Sequence, residues 1–140
     1  MDPMDLSDRL PVVLGETLPV PHGADGALTV QHDETFASLR VVTIAQDLDL
    51  VSLTQVLAWD LPLDSKIRAK VAKHAHDTLL GTVSLVEKVG APSGGGRSKK
   101  TGDVLLRYNF PAAGLTDDAL RTLVLMVLAT GADVRRALLG

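Results

Sequence analysis

Leu39-Arg40-Val41-Val42-Thr43-Ile44-Ala45-Gln46-Asp47-Leu48-Asp49-Leu50-Val51-Ser52-Leu53-Thr54-Gln55-Val56-Leu57-Ala58-Trp59 is the stretch on which the reading of this chain turns. Two runs within it, 39–46 and 50–59, are rich in Val, Leu and Thr, residues that suit a pleated, half-buried surface. Asp47-Leu48 falls between them as a tight turn, so the two runs predict an antiparallel hairpin. Pairing Ala45 with Leu50 places Ile44 opposite Val51, Val42 opposite Leu53 and Arg40 opposite Gln55. Side chains alternate with period two, so Leu39, Val41, Thr43, Ser52, Thr54 and Val56 then share the other side. The first side reads as core. The second mixes apolar and hydroxyl groups.

Working outward, Ala27–His32 reads as a short strand before the hairpin. Residues 1–26 carry Pro3, Pro11, Pro19 and Pro21 with Gly15, Gly23 and Gly26, a composition that predicts an irregular N-terminal segment without a long helix. After the hairpin, Asp64 is a good N-cap for a helix to about Leu80, with Ile67, Val71, Ala75 and Thr78 as its buried stripe and Gly81 as a left-handed cap. Thr82–Val89 and Val104–Phe110 read as two further strands. Residues 90–103 between them are rich in Gly and Ser and predict a flexible loop. Thr116 caps the last helix, Asp117 and Asp118 favour its positive end, and Leu115 with Leu120 are spaced as a hydrophobic staple. Leu120, Leu123, Val124, Val127, Leu128, Gly131, Val134 and Leu138 give that helix a wide apolar face, which Leu125 and Met126 extend almost all round.

The resulting order, β-β-β-α-β-β-α, predicts an α+β fold over residues 27–140. Its sheet of about five strands is antiparallel and twisted, with two main helices packed on one face. The other face then meets water, a second subunit or a ligand. Composition agrees with a globular domain: of 140 residues, 46% are hydrophobic and 22% charged, while only 3% are aromatic, so Val, Leu and Ala must fill the core. No cysteine is present, which removes disulfides, thiolate metal sites and cysteine nucleophiles and suits a reducing, cytoplasmic location. The acidic start Met1-Asp2-Pro3-Met4-Asp5 does not read as a secretory signal, and the longest apolar stretch, Leu123 to Ala129, is too short for a membrane helix. A net charge of −3 disfavours nucleic acid as a partner. Its distribution is uneven: residues 1–64 hold 11 acids and 2 bases, residues 65–140 hold 6 acids and 12 bases. Such a split could steer a charged partner or orient two copies.

Three segments in the C-terminal half carry a family likeness. Leu80-Gly81-Thr82-Val83-Ser84-Leu85 steps from helix into strand. Leu105-Leu106-Arg107-Tyr108-Asn109-Phe110-Pro111 reads as an "LRYxxP" strand, and Gly114-Leu115-Thr116-Asp117-Asp118-Ala119-Leu120 as a "GLTxxxL" lead-in to the last helix. In this order, over roughly residues 27–139, the chain resembles the superfamily of type III secretion chaperone-like and YbjN-like domains. The resemblance implies a small, often homodimeric bacterial protein that holds an extended segment of a client protein, without cofactor or catalytic residue. Members usually begin with a substantial helix. Here the prolines imply one shortened to about Met4–Leu10, or strand and coil in its place.

The remaining chemistry-bearing residues yield little. Gly94-Gly95-Gly96-Arg97-Ser98-Lys99-Lys100-Thr101 suggests a phosphate loop, but Lys99 stands where a glycine is needed and a strand follows, not a helix. His74 and His76 are two apart on a helix and point to different faces; His22 and His32 lie in turn-rich sequence, and His32, Asp33 and Glu34 would need further ligands to hold a metal. Asp47, Asp49, Asp60 and Asp64 are ordinary turn and cap residues. Ser38, Ser52 and Ser84 lie within strands and lack a nucleophile elbow. The expected function is therefore non-catalytic protein binding, with the second hairpin side, Leu39, Val41, Thr43, Ser52, Thr54 and Val56, together with Trp59, as the partner-binding surface. A small-molecule sensor with a pocket between sheet and helices is the alternative.

Overall fold

The computed structural model describes residues 5–15, 27–89 and 100–139. Their order is α1 (Leu6–Gly15), β1 (Leu28–His32), β2 (Thr35–Ala45), β3 (Leu48–Pro62), α2 (Ser65–Asp77), β4 (Thr82–Val89), β5 (Lys100–Pro111) and α3 (Asp117–Leu139). The five strands form one open sheet in the order β1-β2-β3-β5-β4, and every neighbouring pair is antiparallel. Alternate residues of the strands are buried: Leu28 and Val30, Ala37 and Leu39, Val51, Leu53 and Gln55, Val83, Val104 and Leu106. Their apolar members form one cluster with Leu6, Leu10, Val13 and Leu14 of α1, Val71 of α2, and Leu120, Val124, Val127, Leu128, Val134 and Leu138 of α3. All three helices thus lie on the same face of the sheet, and the α+β class expected from the strand and helix order holds.

Several boundaries differ from the sequence reading: β2 begins at Thr35 and not at Leu39, β3 runs on to Pro62 and not to Trp59, and three further differences bear on packing. The N-terminal segment is not irregular throughout, since α1 occupies Leu6–Gly15 and buries Leu6, Leu10, Val13 and Leu14. Pro11 sits inside α1, where it removes a single hydrogen bond, to the carbonyl of Ser7 on the solvent side. Arg9 fixes this helix to the start of α3. Its guanidinium donates to Asp117 Oδ1 at 2.9 and 3.1 Å, to the Leu115 carbonyl at 2.6 Å and to the Ala113 carbonyl at 3.2 Å. Residues 16–26 lie outside the described residues. Second, Lys100–Asp103, expected in the flexible loop 90–103, are the first rungs of β5, where Lys100 pairs with Val89 and Thr101 with Lys88; residues 90–99 lie outside the described residues.

Third, α2 ends at Asp77, where Thr78 N–H donates to the His74 carbonyl. Of its expected stripe only Val71 is buried, while Ile67 and Thr78 are half-buried and Ala75 is exposed. Asp64 is its N-cap as expected, accepting from Ile67 N–H at 2.8 Å. Gly81 has φ +89°, and a Cβ there would meet Leu106 Cδ2 at 2.8 Å and the Arg107 carbonyl at 3.1 Å. Glycine is required both by the turn and by the closeness of β5. Thr116 caps α3 through Ala119 N–H.

The hairpin register is the consequential difference. The turn is Gln46-Asp47, with Ala45 paired to Leu48 and Asp47 at φ +62°. A two-residue loop matches the twist of its strands, and aspartate tolerates the left-handed region. This moves the pairing by two residues from the expected register. A bulge between Thr43 and Ala45 moves it by one more, so that Val41 faces Val51 and Leu39 faces Leu53. An odd shift exchanges the two faces of β2 relative to β3. Burial explains why this register wins: it puts Leu39 beside Leu53 in the core and turns Arg40 outward, whereas the expected one would bury a guanidinium against Gln55.

Candidate functional site

With α1, α2 and α3 on one side, the other side of the sheet carries no helix among the described residues. Its residues follow from the pairing. Across the strands, Phe36 faces Val56, Val56 faces Leu105 and Leu105 faces Ser84. In the next row Thr29, Ser38, Thr54, Arg107 and Thr82 run across all five strands. Beyond it lie Arg40, Ser52 and Asn109, then Val42, Leu50 and Pro111. Phe36 is 44% exposed and Val42 37%, while Ser38, Ser52, Thr54, Val56 and Leu105 are half-buried among their neighbours.

The expected partner-binding set divides between the two faces. Ser52, Thr54 and Val56 lie on the helix-free face. Leu39 lies on the other and is fully buried, and Val41 packs against the core beside Val51. Leu39 and Val41 are therefore core residues and not contact residues, because the register exchanged the faces of β2. Thr43 pairs with Asp49 at the hairpin end and donates its hydroxyl to Asp49 Oδ1 at 2.5 Å.

Trp59, 49% exposed, stands at a bend in β3 made by two register shifts, between Val56 and Ala58 and between Ala58 and Leu61, with Asp60 at φ +55°. Its ring centroid is 6.4 Å from that of Phe36 and 5.9 Å from the Arg135 guanidinium carbon. Arg135 in turn donates to the Leu57 carbonyl at 2.7 Å. Trp59 joins the helix-free face at Phe36 to the C-terminal part of α3.

The positions that the sequence reading missed on this face are Phe36, Ser38, Arg40 and Val42 of β2 and Arg107 and Asn109 of β5. A signal for them existed. Arg40 interrupts the apolar run Leu39-Arg40-Val41, and a charge within a strand marks its solvent side.

One end of the face is held by ion pairs. Lys88 Nζ lies 2.6 Å from Asp60 Oδ1 and 2.8 Å from Asp103 Oδ1, and Asp60 N–H donates to Asp103 at 3.0 Å. The hydrogen bond from Lys88 holds the Asp103 carboxyl below its ordinary range, and the hydrogen bonds to Asp103 and then Asp60 hold Lys88 above its own. Arg68 of α2 pairs with Glu87 of β4 and lowers its carboxyl in the same way.

Among the described residues, little else points to a site. A surface depression lined by Asp33, Glu34, Arg135 and Arg136 is closed by its own ion pairs, Arg135 to Glu34 at 3.5 Å and Arg136 to Asp33 at 3.7 Å. A shallow apolar one lies on the outer side of α3, at Leu115, Ala119, Leu123 and Met126. The layer between sheet and helices is filled by fully buried Leu39, Leu53, Leu57, Leu106, Leu120 and Leu128. Among the described residues, no three His, Cys, Asp or Glu side chains come together as a metal site. No described helix is long and apolar enough to cross a membrane. Comparison with protein-family models, with curated proteins and with solved structures finds no match to this chain.

Proposed function

We propose that this chain is a non-catalytic protein-binding domain of the chaperone or adaptor kind, which holds an extended segment of a client protein against the helix-free face of its sheet. The observation that carries the reading is that face itself. One side of the sheet is closed by three helices over a packed core, while the other presents Phe36, Val42, Val56 and Trp59 among hydroxyl groups. Apolar contact area interleaved with adaptable hydrogen-bonding groups suits a protein partner better than a core. The likeness of Leu105–Pro111 and Gly114–Leu120 to the YbjN-like and secretion-chaperone domains supports the same reading. It extends the reading to a homodimer acting in the bacterial cytoplasm.

A permanently unfolded polypeptide added to isotope-labelled protein tests the proposal. Amide shifts are expected at Ser38, Ser52, Thr54 and Val56, with the indole of Trp59, while α1 and α2 stay unmoved. Val56→Asp should abolish them and leave the fold intact. Shifts confined to the helices, or none at millimolar polypeptide, would remove the sheet from the function. Sedimentation equilibrium checks the homodimer, with a mass twice that of the chain expected.

A further inference from the structure

We infer that the segment held on the helix-free face is acidic, its carboxylates seated on a band of hydrogen-bond donors that crosses the sheet and its apolar side chains on the rows either side. The inference rests on the sheet-face reading above and specifies the partner's chemistry.

Two adjacent rows make the band. Thr29, Ser38, Thr54, Arg107 and Thr82 form one; Arg40, Ser52 and Asn109 form the other. Of these eight side chains two are guanidinium groups, five are hydroxyls and one is an amide. None is a carboxylate and none is a large apolar group, although the chain as a whole carries net charge −3. The nearest acid further along β5 on this face is Asp103, already engaged by Lys88. Arg107, Asn109 and the five hydroxyls can donate to an acceptor, while Arg40 already has an interaction of its own. A carboxylate is acceptor-only and takes several such bonds, most strongly from a guanidinium. Arg107 stands between Thr54 and Thr82 in its row, with Asn109 two residues along β5, about 7 Å away, so its guanidinium has further donors on three sides.

The apolar rows complete the fit. Phe36, Val56 and Leu105 border the band on one side, Val42, Leu50 and Pro111 on the other. An extended segment with acids between apolar residues matches that sequence of rows. A single-stranded nucleic acid would also meet positive charge here. It needs aromatic platforms beneath successive bases, however, and the band itself has none; Phe36 and Trp59 lie to one side of it.

Fluorescein-labelled 12-residue peptides test this, identical except for Glu, Gln or Lys at four positions among Val and Leu, with a 12-nucleotide oligo-dT beside them. Anisotropy titrations should show the Glu peptide binding about tenfold tighter than the Gln peptide, as expected for one charge-assisted hydrogen bond. That advantage should shrink with added salt. Arg107→Ala, on the exposed face, should abolish most of it by weakening the Glu peptide far more than the Gln peptide, whose amide carbonyl accepts only neutral-strength hydrogen bonds. Equal binding of Glu and Gln peptides, both lost in Val56→Asp, would overturn the acidic inference and keep the sheet-face reading. Tighter binding of oligo-dT or of the Lys peptide would overturn the inference as well. Binding of the Glu peptide that survives both Arg107→Ala and Val56→Asp would overturn the inference and move the site off the sheet.

Discussion

Gln55 is the one large polar side chain fully buried among the described residues, and it determines what α3 can be above it. Its Nε2 donates to Thr35 Oγ1 at 2.8 Å and to the Leu128 carbonyl at 3.1 Å, which fixes the amide's orientation. Oε1 has no hydrogen-bond partner among the described residues and points at Gly131. A Cβ at Gly131 would fall 2.0 Å from Oε1. Gly131→Ala is therefore expected to destabilise the fold by about 1–3 kcal/mol despite alanine's better helix propensity. A urea-unfolding double-mutant cycle should show most of that loss relieved in a Gln55→Ala background. The exchanged faces of β2 give a second expectation. Leu39→Ala should cost about 2–5 kcal/mol as a core truncation, and Arg40→Ala, on the solvent side, about 0.5 kcal/mol or less. The reverse ranking in chemical denaturation would restore the register first expected from the sequence. At this scale the sequence was informative about types and silent about pairing. The strand at 50–59 was legible from Val, Leu and Thr, but a two-residue turn and one bulged residue move the register by three, and neither changes composition.

Among the elements, α1 shows how far a local argument reaches. Four prolines in 26 residues argue against a long helix and leave room for one shortened to about Met4–Leu10; the ten-residue α1 runs past Pro11 to Gly15, because Leu6, Leu10, Val13 and Leu14 keep helical spacing around the proline. The stripe was readable; its tertiary support was not, because Arg9 reaches the far end of the chain at Asp117 and Arg121 donates to the Val13 carbonyl. If Arg9 is what docks the helix, Arg9→Met should loosen α1 locally. Amide exchange is expected to speed up in α1 residues such as Val13 and Leu14, with β3 and β5 protection held and the global urea m-value unchanged. The last helix was legible almost entirely, from its Thr116 cap to its buried Leu138, since both signals are local. Its apolar circumference overstated its burial, for Met126 is half-exposed on the side away from the sheet.

For the whole molecule, the charge imbalance between the two halves of the sequence has an internal use. Glu34 pairs with Arg135, Asp33 with Arg136 and Asp60 with Lys88, so acids from the first half meet bases from the second inside one fold. These pairs are largely exposed, and each contributes little alone. Their pH dependence has a definite sign. Asp103 and Glu87 titrate below their ordinary range, so their contribution is present above that range and lost as pH falls through the lowered values. Lys88 titrates above its ordinary value, so its contribution persists through neutrality and is lost only in strong alkali. NMR titration of the Asp103 carboxyl should show its midpoint move up toward the usual carboxylate value in Lys88→Met, and an unmoved midpoint would sever that link.

Among the described residues, the two outer margins of the sheet, β1 and β4, each leave a line of backbone groups that a foreign chain could adopt as a template. One margin is only five residues long. The longer one carries Glu87 and Lys88, both engaged in ion pairs. Erasing those two charges together would leave Val83, Ser84, Leu85 and Val86 as an unguarded rim. Such a variant should convert to fibrils on agitation, detectable by thioflavin fluorescence, well before the parent chain does.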